Sequence, residues 1–514
     1  MRSRSGPRAA RLEALPWLDL DPASAAEAFL DLPMPLLLES SLTHPRHGRW
    51  SFLMADPFLV VRAGPGGVEL DRGGVTELRV TGPFETIESL IAAFACEAIP
   101  GGPPFQGGLA GYFGYELNGW IERVPAPGIN DVPMPDLCLA GYDWVLAWDH
   151  LEGTAHLVST GLPAEDDLAR ARRAAARSRF VIERLRARAG LHRSPPAPQA
   201  VSPVAPAAET TSSPEVTAIR HPVPGLPGVE STFSRAAYLD AVRRVREYIL
   251  AGDIYQANLT QRLEAPVRAS PFALYRTLRE RNPSFFGAYF DTGDAVVVSA
   301  SPERFLRHEG GFVETRPIKG TAPRGATRAE DARRAHRLRM SRKDRAENIM
   351  IVDLLRNDLS AVCEDGSIRV PELCVLERHP TVHHLVSTVT GQLRPGLGPV
   401  DLLRAAFPGG SITGAPKIRA MEIIAELEPV RRGVYTGAIG YLGFDGTMDT
   451  SIAIRTMVVR DGRALFGVGG GVVVDSDPSG EYEESLAKAR ALVDALTRVD
   501  IVAGAFASEA AGPA

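Results

Sequence analysis

The apolar positions of this chain follow two spacings, one helical and one typical of strands. Those that come after Ser234 recur three or four residues apart; they are Tyr238, Val242, Val245 and Ile249. Ser234 suits an N-cap, and Gly252 suits the residue that follows a helix end. The pattern therefore predicts a helix between Ser234 and Gly252.

The same two signals recur along the chain. Helical patterns are predicted over 164–187, 328–340, 344–358, 418–426 and 478–496, with an apolar stripe of Ile349, Val352 and Leu355 in the third and Asp477 as the cap of the last. Short apolar runs predict strands at 58–62, 107–114, 142–148, 255–263, 295–300, 438–444, 451–459 and 464–474. Because helices and strands do not alternate strictly, the order favours an α+β fold with large antiparallel sheets over a doubly wound fold.

One stretch carries neither signal. Residues 189–230 are rich in Pro, Ala, Ser and Thr, which is typical of a flexible linker. The chain is therefore predicted to consist of an N-terminal region at 1–188, this linker, a C-terminal region at 231–497 and a tail at 498–514.

The composition narrows the class of protein. Hydrophobic residues make up 45% and charged residues 23%, as in ordinary globular proteins. A net charge of −5 gives no electrostatic reason to expect nucleic acid or membrane as a partner, so an anionic substrate needs a local cationic or metal-lined pocket. The cysteines lack the spacing of a zinc site or a disulfide framework. Neither a signal peptide nor a membrane span is indicated, and we expect a cytoplasmic protein.

Two acidic pairs are candidates for a metal site. Asp344 and Glu347 lie three positions apart near the start of one predicted helix, and Glu481 and Glu484 repeat that spacing in the last helix. Four carboxylates from two helices can surround a hard divalent cation such as Mg²⁺. Acidic residues in a first helical turn also favour the helix dipole, so the spacing alone leaves both interpretations open.

Two glycine-rich segments are candidates for ligand contact. Segment 407–417, FPGGSITGAPK, has the outer glycine spacing of a P-loop, but Ala415 and Pro416 stand where that motif needs lysine. Its N–H groups, hydroxyls and Lys417 suit an anion such as a carboxylate, although a plain connecting loop is the alternative. The three glycines at 469–471 allow close backbone approach to a ligand but lack the spacing of a dinucleotide site.

A lysine and a glutamate could carry chemistry. Lys319 lies in RPIKGT (316–321) and Glu303 in SPERF (301–305). Taken alone, they are ordinary surface and salt-bridge residues. If Lys319 is desolvated near other cations, its pKa falls and the neutral amine becomes a nucleophile or a base.

Together these segments resemble the chorismate-utilising enzymes, the family of anthranilate, aminodeoxychorismate, isochorismate and salicylate synthases. The motifs stand in the order of that family: KDRAENIMIVDLLRND (343–358), FPGGSITGAPKIRAMEIIAELEP (407–429), MDTSIAIRT (448–456) and EYEESLAKARAL (481–492). The resemblance covers 234–496 strongly and reaches the N-terminal region through LLESS (37–41). It implies a two-layer α/β sandwich and an enzyme that acts on chorismate.

The resemblance also implies a set of site residues. Mg²⁺ would be held mainly by Glu347 and Glu484, with Asp344 and Glu481 farther out. Arg455 and Tyr435 are expected to bind the enolpyruvyl carboxylate, and His384 to lie beside the departing hydroxyl. The full set expected to line the substrate is Gln256, Thr321, Thr413, Gly414, Ala415, Tyr435, Arg455, Gly469, Gly470 and Lys488.

Two positions separate the members of the family. Gln256 stands where the members that add water carry a general-base lysine, which argues against isochorismate and salicylate synthesis. Lys319 stands where anthranilate synthases usually have alanine, and it resembles the aminodeoxychorismate synthases. In that branch the lysine is thought to attack ring C2 and expel the 4-hydroxyl, with Glu303 as general acid/base, before ammonia adds at C4. We expect component I of that branch, in p-aminobenzoate and folate biosynthesis, with anthranilate synthase component I as the rival.

Partners follow from the same comparison. No Gly-x-Cys-x-Gly elbow is present, so ammonia is expected from a separate glutamine amidotransferase subunit. Two segments resemble the tryptophan pocket of the family, and whether tryptophan binds there or inhibits stays open; they comprise Leu38, Glu39, Ser40, Asn282, Pro283 and Ser284. A non-catalytic amino-acid-binding regulatory module is the alternative from another class. The intact set of Lys319, Glu303, Glu347 and Glu484 argues against it.

Overall fold

The computed structural model describes residues 10–125, 128–190, 218–380 and 382–510, with side chains described to residue 501. Most of the predicted linker, 191–217, lies outside the described residues. The elements before it are β1 (Arg11–Ala14), α1 (Pro22–Ala26), β2 (Leu36–Glu39), β3 (Trp50–Met54), β4 (Leu59–Gly64), β5 (Gly67–Arg72), β6 (Val75–Arg79), α2 (Pro83–Ala93), β7 (Gly108–Phe113), a 3₁₀ helix (Tyr115–Trp120), β8 (Leu137–Tyr142), β9 (Trp144–Asp149), β10 (Thr154–Ser159) and α3 (Asp167–Arg188).

The elements after the linker are more numerous. Those up to residue 360 are β11 (His221–Pro222), β12 (Glu230–Ser231), α4 (Arg235–Ala251), β13 (Gln256–Pro266), α5 (Pro271–Arg281), β14 (Phe286–Asp291), β15 (Val296–Ser301), β16 (Arg304–Glu309), β17 (Phe312–Thr315), β18 (Ile318–Pro323), α6 (Arg328–Met340) and α7 (Arg342–Ser360). The remainder are β19 (Arg369–Arg378), β20 (Val382–Gln392), α8 (Pro399–Ala406), a 3₁₀ turn (Gly410–Ile412), β21 (Gly414–Ala415), α9 (Lys417–Leu427), β22 (Ala438–Gly443), β23 (Met448–Ile452), β24 (Thr456–Arg460), β25 (Arg463–Val472) and α10 (Pro478–Ala510).

The strands form two large antiparallel sheets, which confirms the predicted fold class. One sheet has the order β1-β10-β9-β3-β2-β14-β15-β24-β25-β13-β12-β11, and β21 pairs with β13. The other has the order β18-β20-β17-β16-β23-β22-β7-β8-β4-β5-β6, and β19 pairs with β20. Each described ladder between strands of these sheets is antiparallel, including the long β13–β25 pairing.

The division of the chain into two regions is not a division of the fold. In the first sheet, β2 of the N-terminal region pairs with β14 of the C-terminal region. In the second sheet, β7 pairs with β22 in the same way. The predicted regions 1–188 and 231–497 therefore share both sheets, and the linker joins two segments of one architecture.

The hydrophobic core lies in three layers. Buried side chains of β2, β3, β7, β8, β14 and β22 meet between the two sheets, among them Phe52, Tyr112 and Phe290. Helices α4, α5 and α10 pack on the outer face of the first sheet. Residues of α2, α7 and α8 pack on the second sheet. Within the described residues, no helix combines the length and apolar character needed to cross a membrane.

Local predictions are confirmed at one helix and corrected at others. The Ser234 hydroxyl accepts a hydrogen bond from the Ala237 N–H, and Gly252 takes a left-handed conformation at the end of α4. In α7, Val352 and Leu355 are buried but Ile349 is 39% exposed, so the predicted stripe is narrower than expected. Helix α10 continues past residue 496 to Ala510, so most of the predicted tail is helical.

The predicted strand 451–459 is interrupted. Arg455 has a φ of 51°, in the left-handed region, and it separates β23 from β24. These two strands belong to different sheets. The chain therefore passes from one sheet to the other at Arg455. The continuous apolar pattern of 451–459 does not predict this crossing.

Candidate active site

The candidate site forms where elements of both sheets and two helices meet. Strand β13 pairs with β25 in the first sheet, and β18 pairs with β20 in the second. Helix α7 packs against β18 and β20, and α10 packs against β25. Residues predicted from four separate motifs are thereby brought to one place.

Lys319 contributes a partly buried amine to this place. Its Nζ donates a hydrogen bond to Oδ1 of Asn258, at 3.3 Å. Burial lowers the pKa of Lys319, an effect that Lys488 reinforces and that the carboxylates of Glu347 and Glu303 oppose. The amine has a neutral hydrogen-bond partner, which favours its uncharged form more than a carboxylate partner would.

Glu303 is the second buried titratable group. It is 4% exposed, and its Oε1 accepts a hydrogen bond of 2.6 Å from the Ser411 hydroxyl. Burial raises the pKa of Glu303 to about 7, while the Ser411 hydrogen bond and the charge of Lys319 act to lower it. A carboxyl group with a pKa near neutrality can release and recover a proton during a reaction.

The predicted acidic pairs of α7 and α10 face one another. Lys343 Nζ lies 4.0 Å from Glu347 Oε1 and 3.7 Å from Glu481 Oε1, so one ammonium serves both carboxylates. Burial raises the pKa values of Glu347 and Glu481. Asp344 lies beside Gly320, where an added Cβ would come 2.9 Å from the Asp344 Cβ.

The donor set fits a hard cation in chemical type. Glu347 Oε1 is buried and has no hydrogen-bond partner, and carboxylate oxygen is the ligand that Mg²⁺ prefers. Among the residues that the structure describes, however, no group of three or more His, Cys, Asp or Glu side chains is already arranged around one point. The carboxylates are close to one another, and their charges are balanced by Lys343 and Lys488 rather than by a metal-ligand arrangement.

Glu484 and Lys488 close the site at α10. Lys488 Nζ lies 2.9 Å from Glu484 Oε1 and donates a hydrogen bond of 2.8 Å to the Gly469 carbonyl. Burial acts to raise the pKa of Glu484, but Lys488, together with Lys343 and Lys319, outweighs it and the pKa is lowered. A Cβ on Gly470 would lie 3.2 Å from Glu481 Oε2 and 3.6 Å from Glu484 Oε1, so glycine lets these carboxylates approach the strand.

Two buried amides lie on one face of β13. Gln256 is fully buried, and neither its Oε1 nor its Nε2 has a hydrogen-bond partner within the described protein. The Nδ2 of Asn258 is also buried without a partner. A Cβ on Gly471 would lie 2.0 Å from Gln256 Nε2, so only glycine leaves room for that amide. Such unpaired atoms indicate a polar ligand or water.

The glycine-rich segment borders the same amides. Gly414 and Ala415 pair with Ala257 and Gln256 of β13. Gly414 has a φ of 153°, and a Cβ there would lie 2.1 Å from the Gln256 carbonyl oxygen. Thr413 is fully buried, and its hydroxyl donates to the Gly409 carbonyl at 3.0 Å.

Arg455 is a cation without a side-chain partner among the described residues. Within the described residues its guanidinium makes no hydrogen bond within 3.5 Å and no ion pair within 4.0 Å, although it is partly buried and burial lowers its pKa. Tyr435 lies nearby in the fold, since its ring fills the space above Gly467 in β25. An unpaired guanidinium in a partly buried position suits a carboxylate ligand.

His384 lies at the second sheet's side of the site. It is 2% exposed, and its Nδ1 shares a hydrogen bond of 2.9 Å with the Thr321 hydroxyl. Burial, together with the charge of Arg455, lowers the pKa of His384 well below its usual value. The imidazole is therefore neutral at pH 7 and can both donate and accept one hydrogen bond.

The predicted tryptophan segments lie elsewhere, at a cavity of about 640 Å³ between the sheets. Leu38, Glu39 and Ser40 line that cavity. The segment Asn282–Ser284 adjoins it without lining it, because Ser284 exchanges hydrogen bonds with Ser41. The structure thus brings the two segments into contact at the edge of this cavity.

Sequence reasoning missed three contacts of the site. Asn258 follows Gln256 at the two-residue period of a strand, so its position on the same face could have been recognised. Ser411 lies inside the glycine-rich motif, but its contact with Glu303 joins residues far apart in sequence. Lys343 begins the motif at 343–358, but its position between two carboxylates depends on the packing of α7 near α10, which the sequence does not give.

Comparison with known proteins gives a consistent result. The profile of the family described as chorismate binding enzyme matches residues 78–494. Anthranilate synthase component 1 of Pseudomonas aeruginosa is 39% identical over 483 residues, covering 92% of each chain. Aminodeoxychorismate synthase component 1 of Salmonella typhimurium is 38% identical over 487 residues, covering 94% of this chain and 97% of the relative. The crystal structure of anthranilate synthase component I from Streptococcus pneumoniae has a TM-score of 0.71 at 31% identity, covering 88% of this chain and 94% of that one.

Proposed function

The chain belongs to the chorismate-binding enzyme family, and on that premise we propose that it aminates chorismate to 4-amino-4-deoxychorismate. Relatives named for this activity and relatives named for anthranilate synthesis are similar to the chain at nearly equal identity. The observation that carries the proposal is therefore local: Lys319 presents a partly desolvated amine, hydrogen-bonded to a neutral amide. A nucleophilic lysine requires such an environment.

Lys319 and Glu303 have complementary roles in this proposal. The neutral Nζ forms a bond to ring C2, both ring double bonds shift (C1=C2 to C1=C6 and C5=C6 to C4=C5), and the C4–O bond breaks. Glu303 donates the proton with which the 4-hydroxyl leaves as water. Ammonia then forms a bond at C4 and gives one proton to Glu303, and the lysine leaves C2 as both double bonds shift back. The raised pKa of Glu303, about 7, suits a group that gives and recovers this proton.

The substrate's carboxylates need cationic partners. The unpaired guanidinium of Arg455, with Tyr435 beside β25, supplies one for the enolpyruvyl carboxylate. Thr413, Gly414 and Ala415 form the wall on one side, and Thr321 with His384 forms it on the other. The Gln256 amide and the backbone at Gly469 and Gly470, held by Lys488, complete the set.

A divalent cation completes the site in this proposal. Glu347 and Glu484 would hold Mg²⁺, with Asp344 and Glu481 beside them, and the unsatisfied Glu347 oxygen supports that assignment. When bound, Mg²⁺ neutralises the ring carboxylate and acts as a Lewis acid.

Product identification tests the proposal. The purified chain would be incubated with chorismate, Mg²⁺ and ammonium chloride, and the products followed by mass and fluorescence. We expect 4-amino-4-deoxychorismate with retained enolpyruvyl group. Fluorescent anthranilate formed directly, with release of pyruvate, would instead assign the chain to the anthranilate branch, and absence of any turnover would favour a non-catalytic module.

The relatives' designation as component 1 supports a partner subunit. We infer that a separate glutamine amidotransferase supplies ammonia. Adding the cognate amidotransferase should let glutamine replace ammonium in the same assay; if glutamine stays inert while ammonium works, this partner assignment fails.

A second ligand is proposed for the cavity between the sheets. Its volume of about 640 Å³ lies within the range of small-molecule sites, and Glu39 and Ser40 at its wall belong to the segment that resembles a tryptophan pocket. Calorimetric titration with tryptophan tests it, with phenylalanine as control. Saturable heat with tryptophan alone is expected, and no heat with either amino acid would refute it.

A further inference from the structure

Lys319 owes its orientation to a residue that the proposed chemistry does not yet use. Among the described residues, Asn258 is its only hydrogen-bond partner. Asn258 is 7% exposed and lies in β13, an interior strand of the first sheet between β25 and β12. It therefore connects a rigid element to a flexible four-carbon side chain.

The backbone of Asn258 is held on both sides. Its N–H donates to the Thr413 carbonyl at 2.7 Å, and its own carbonyl accepts from Arg432 Nη2 at 2.7 Å. Arg432 is 8% exposed and is paired at 2.6 Å with the equally buried Glu428. These contacts fix the point from which the Asn258 side chain extends.

The amide differs from a carboxylate of the same shape. Its Oδ1 accepts an N–H from either form of the lysine but carries no charge that would favour the ammonium. One N–H held by Oδ1 limits the directions that the amine's lone pair can take. In the part of the chain that the structure describes, the Nδ2 has no partner, so no acceptor there fixes the amide in the opposite orientation.

We propose that Asn258 is a positioning residue that aims the Lys319 amine at the substrate ring, acting through Lys319 alone. The proposal rests on the proposed function, because it assigns Asn258 to the same amination.

A double-mutant cycle tests it. Asn258→Ala would be made in the wild-type chain and in the Lys319→Ala chain, with Asn118→Ala as a control, since Asn118 is also buried and its amide donates to a backbone carbonyl, that of Tyr115, rather than to Lys319. Turnover of chorismate with ammonium chloride and Mg²⁺ would be followed by product mass. In the wild-type background kcat should fall about 10- to 100-fold, with KM for chorismate changed less than about threefold. In the Lys319→Ala background the same substitution should change the residual rate less than about twofold. The control should keep wild-type values.

Equal losses in both backgrounds, or a large rise in KM, would overturn the assignment, because Asn258 would then act on the substrate or on the fold. If the rate of the Lys319→Ala chain falls below detection, Asn258→Asp in the wild-type chain provides a second test of the positioning role. The other charged groups around Lys319 remain in that variant; they are Glu303, Glu347, Glu484 and Lys488. The aspartate favours the ammonium, so the ratio of its kcat to the wild-type kcat at the same pH should be low at pH 7 and rise with pH, and a ratio that does not change with pH refutes the proposal. If the wild type yields no aminated product, the proposed function itself fails, which is a different result.

Discussion

The cavity between the sheets and the site around Lys319 are both lined by charged side chains, but they satisfy those charges differently. In the cavity, Glu39 is paired with Arg279, and Arg304 is paired with both Asp449 and Glu314. The remaining charged residues of its wall are also paired; they are Arg46, Arg49, Arg307 and Glu309. Around Lys319, the Gln256 amide and Oε1 of Glu347 have no hydrogen-bond partner in the described protein, and Lys343 Nζ approaches that oxygen only to 4.0 Å. The guanidinium of Arg455 likewise has no partner among the described residues, although burial lowers its pKa.

The difference distinguishes polar groups that are paired within the protein from polar groups that are left unpaired for a ligand. A buried polar atom without a hydrogen bond costs about 1–3 kcal/mol, so it persists where a ligand completes it. The ion pairs of the cavity are satisfied within the protein whether or not a ligand occupies it: Arg304 and Asp449 pair within the second sheet, and Glu39 of the first sheet pairs with Arg279 of α5. Substitutions at the two places should therefore affect different quantities, catalysis at one and stability at the other.

The largest effect is expected at the amine itself. Lys319→Ala should lower kcat by on the order of 10³-fold or more, because the nucleophile is removed while the substrate's binding groups remain. Chorismate binding, measured by calorimetry, should stay within about threefold of wild type. Wild-type turnover in this variant would exclude a covalent role for the lysine.

Substitution of two arginines, Arg455 at the candidate site and Arg304 at the cavity, tests whether the two places affect binding and stability separately. Arg455→Met should raise KM for chorismate about 10- to 100-fold, because a charged hydrogen bond contributes about 1.5–3 kcal/mol, and should leave the thermal midpoint nearly unchanged. Arg304→Met is the matched variant in the cavity. It leaves two carboxylates without their cation and should cost about 3–5 kcal/mol of unfolding free energy, while KM of the surviving folded enzyme stays near wild type.

Melting curves and initial rates measured on the same samples separate the two. If Arg455→Met were the destabilised variant and Arg304→Met the one with raised KM, the assignment of ligand polarity and structural polarity would be reversed.

The sequence predicted the long helices, about a third of the described strands and the residues that meet in the site, because apolar periodicity and the family motifs are local signals. Among the strands that it did not predict are β18, β19 and β20. Strand β20 buries His383, His384, Ser387 and Thr388, and such polar residues hide an apolar pattern. Their partners are distant in sequence: Ser387 donates to Asn348, and Thr388 to Glu372. The left-handed conformation of Arg455 and the Ser411–Glu303 contact likewise depend on tertiary structure.

The pH dependence of amination offers a smaller effect. A carboxyl group whose pKa is raised to about 7 is protonated below that pH and loses its proton above it. If Glu303 donates the proton, kcat should fall as the pH rises through about 7, approaching tenfold per pH unit. Glu303→Gln should be slow at every pH and lack this alkaline fall. A wild-type profile that keeps rising through pH 8 would contradict the acid role.

The smallest effect is expected at Ser411, which belongs to neither the unpaired set nor the cavity. Its hydroxyl donates to Glu303 and acts to lower the pKa of that carboxyl group. Ser411→Ala removes the donor, so the pKa of Glu303 should rise and the alkaline fall of kcat should move to higher pH. The displacement should be about one pH unit or less, since a single hydrogen bond to a charged group contributes about 1.5–3 kcal/mol and water can partly replace it. Ser411→Thr, which keeps a hydroxyl, is the control and should retain the wild-type profile. A displacement to lower pH in Ser411→Ala would mean that the serine stabilises the protonated acid, and the roles of the two groups would have to be exchanged.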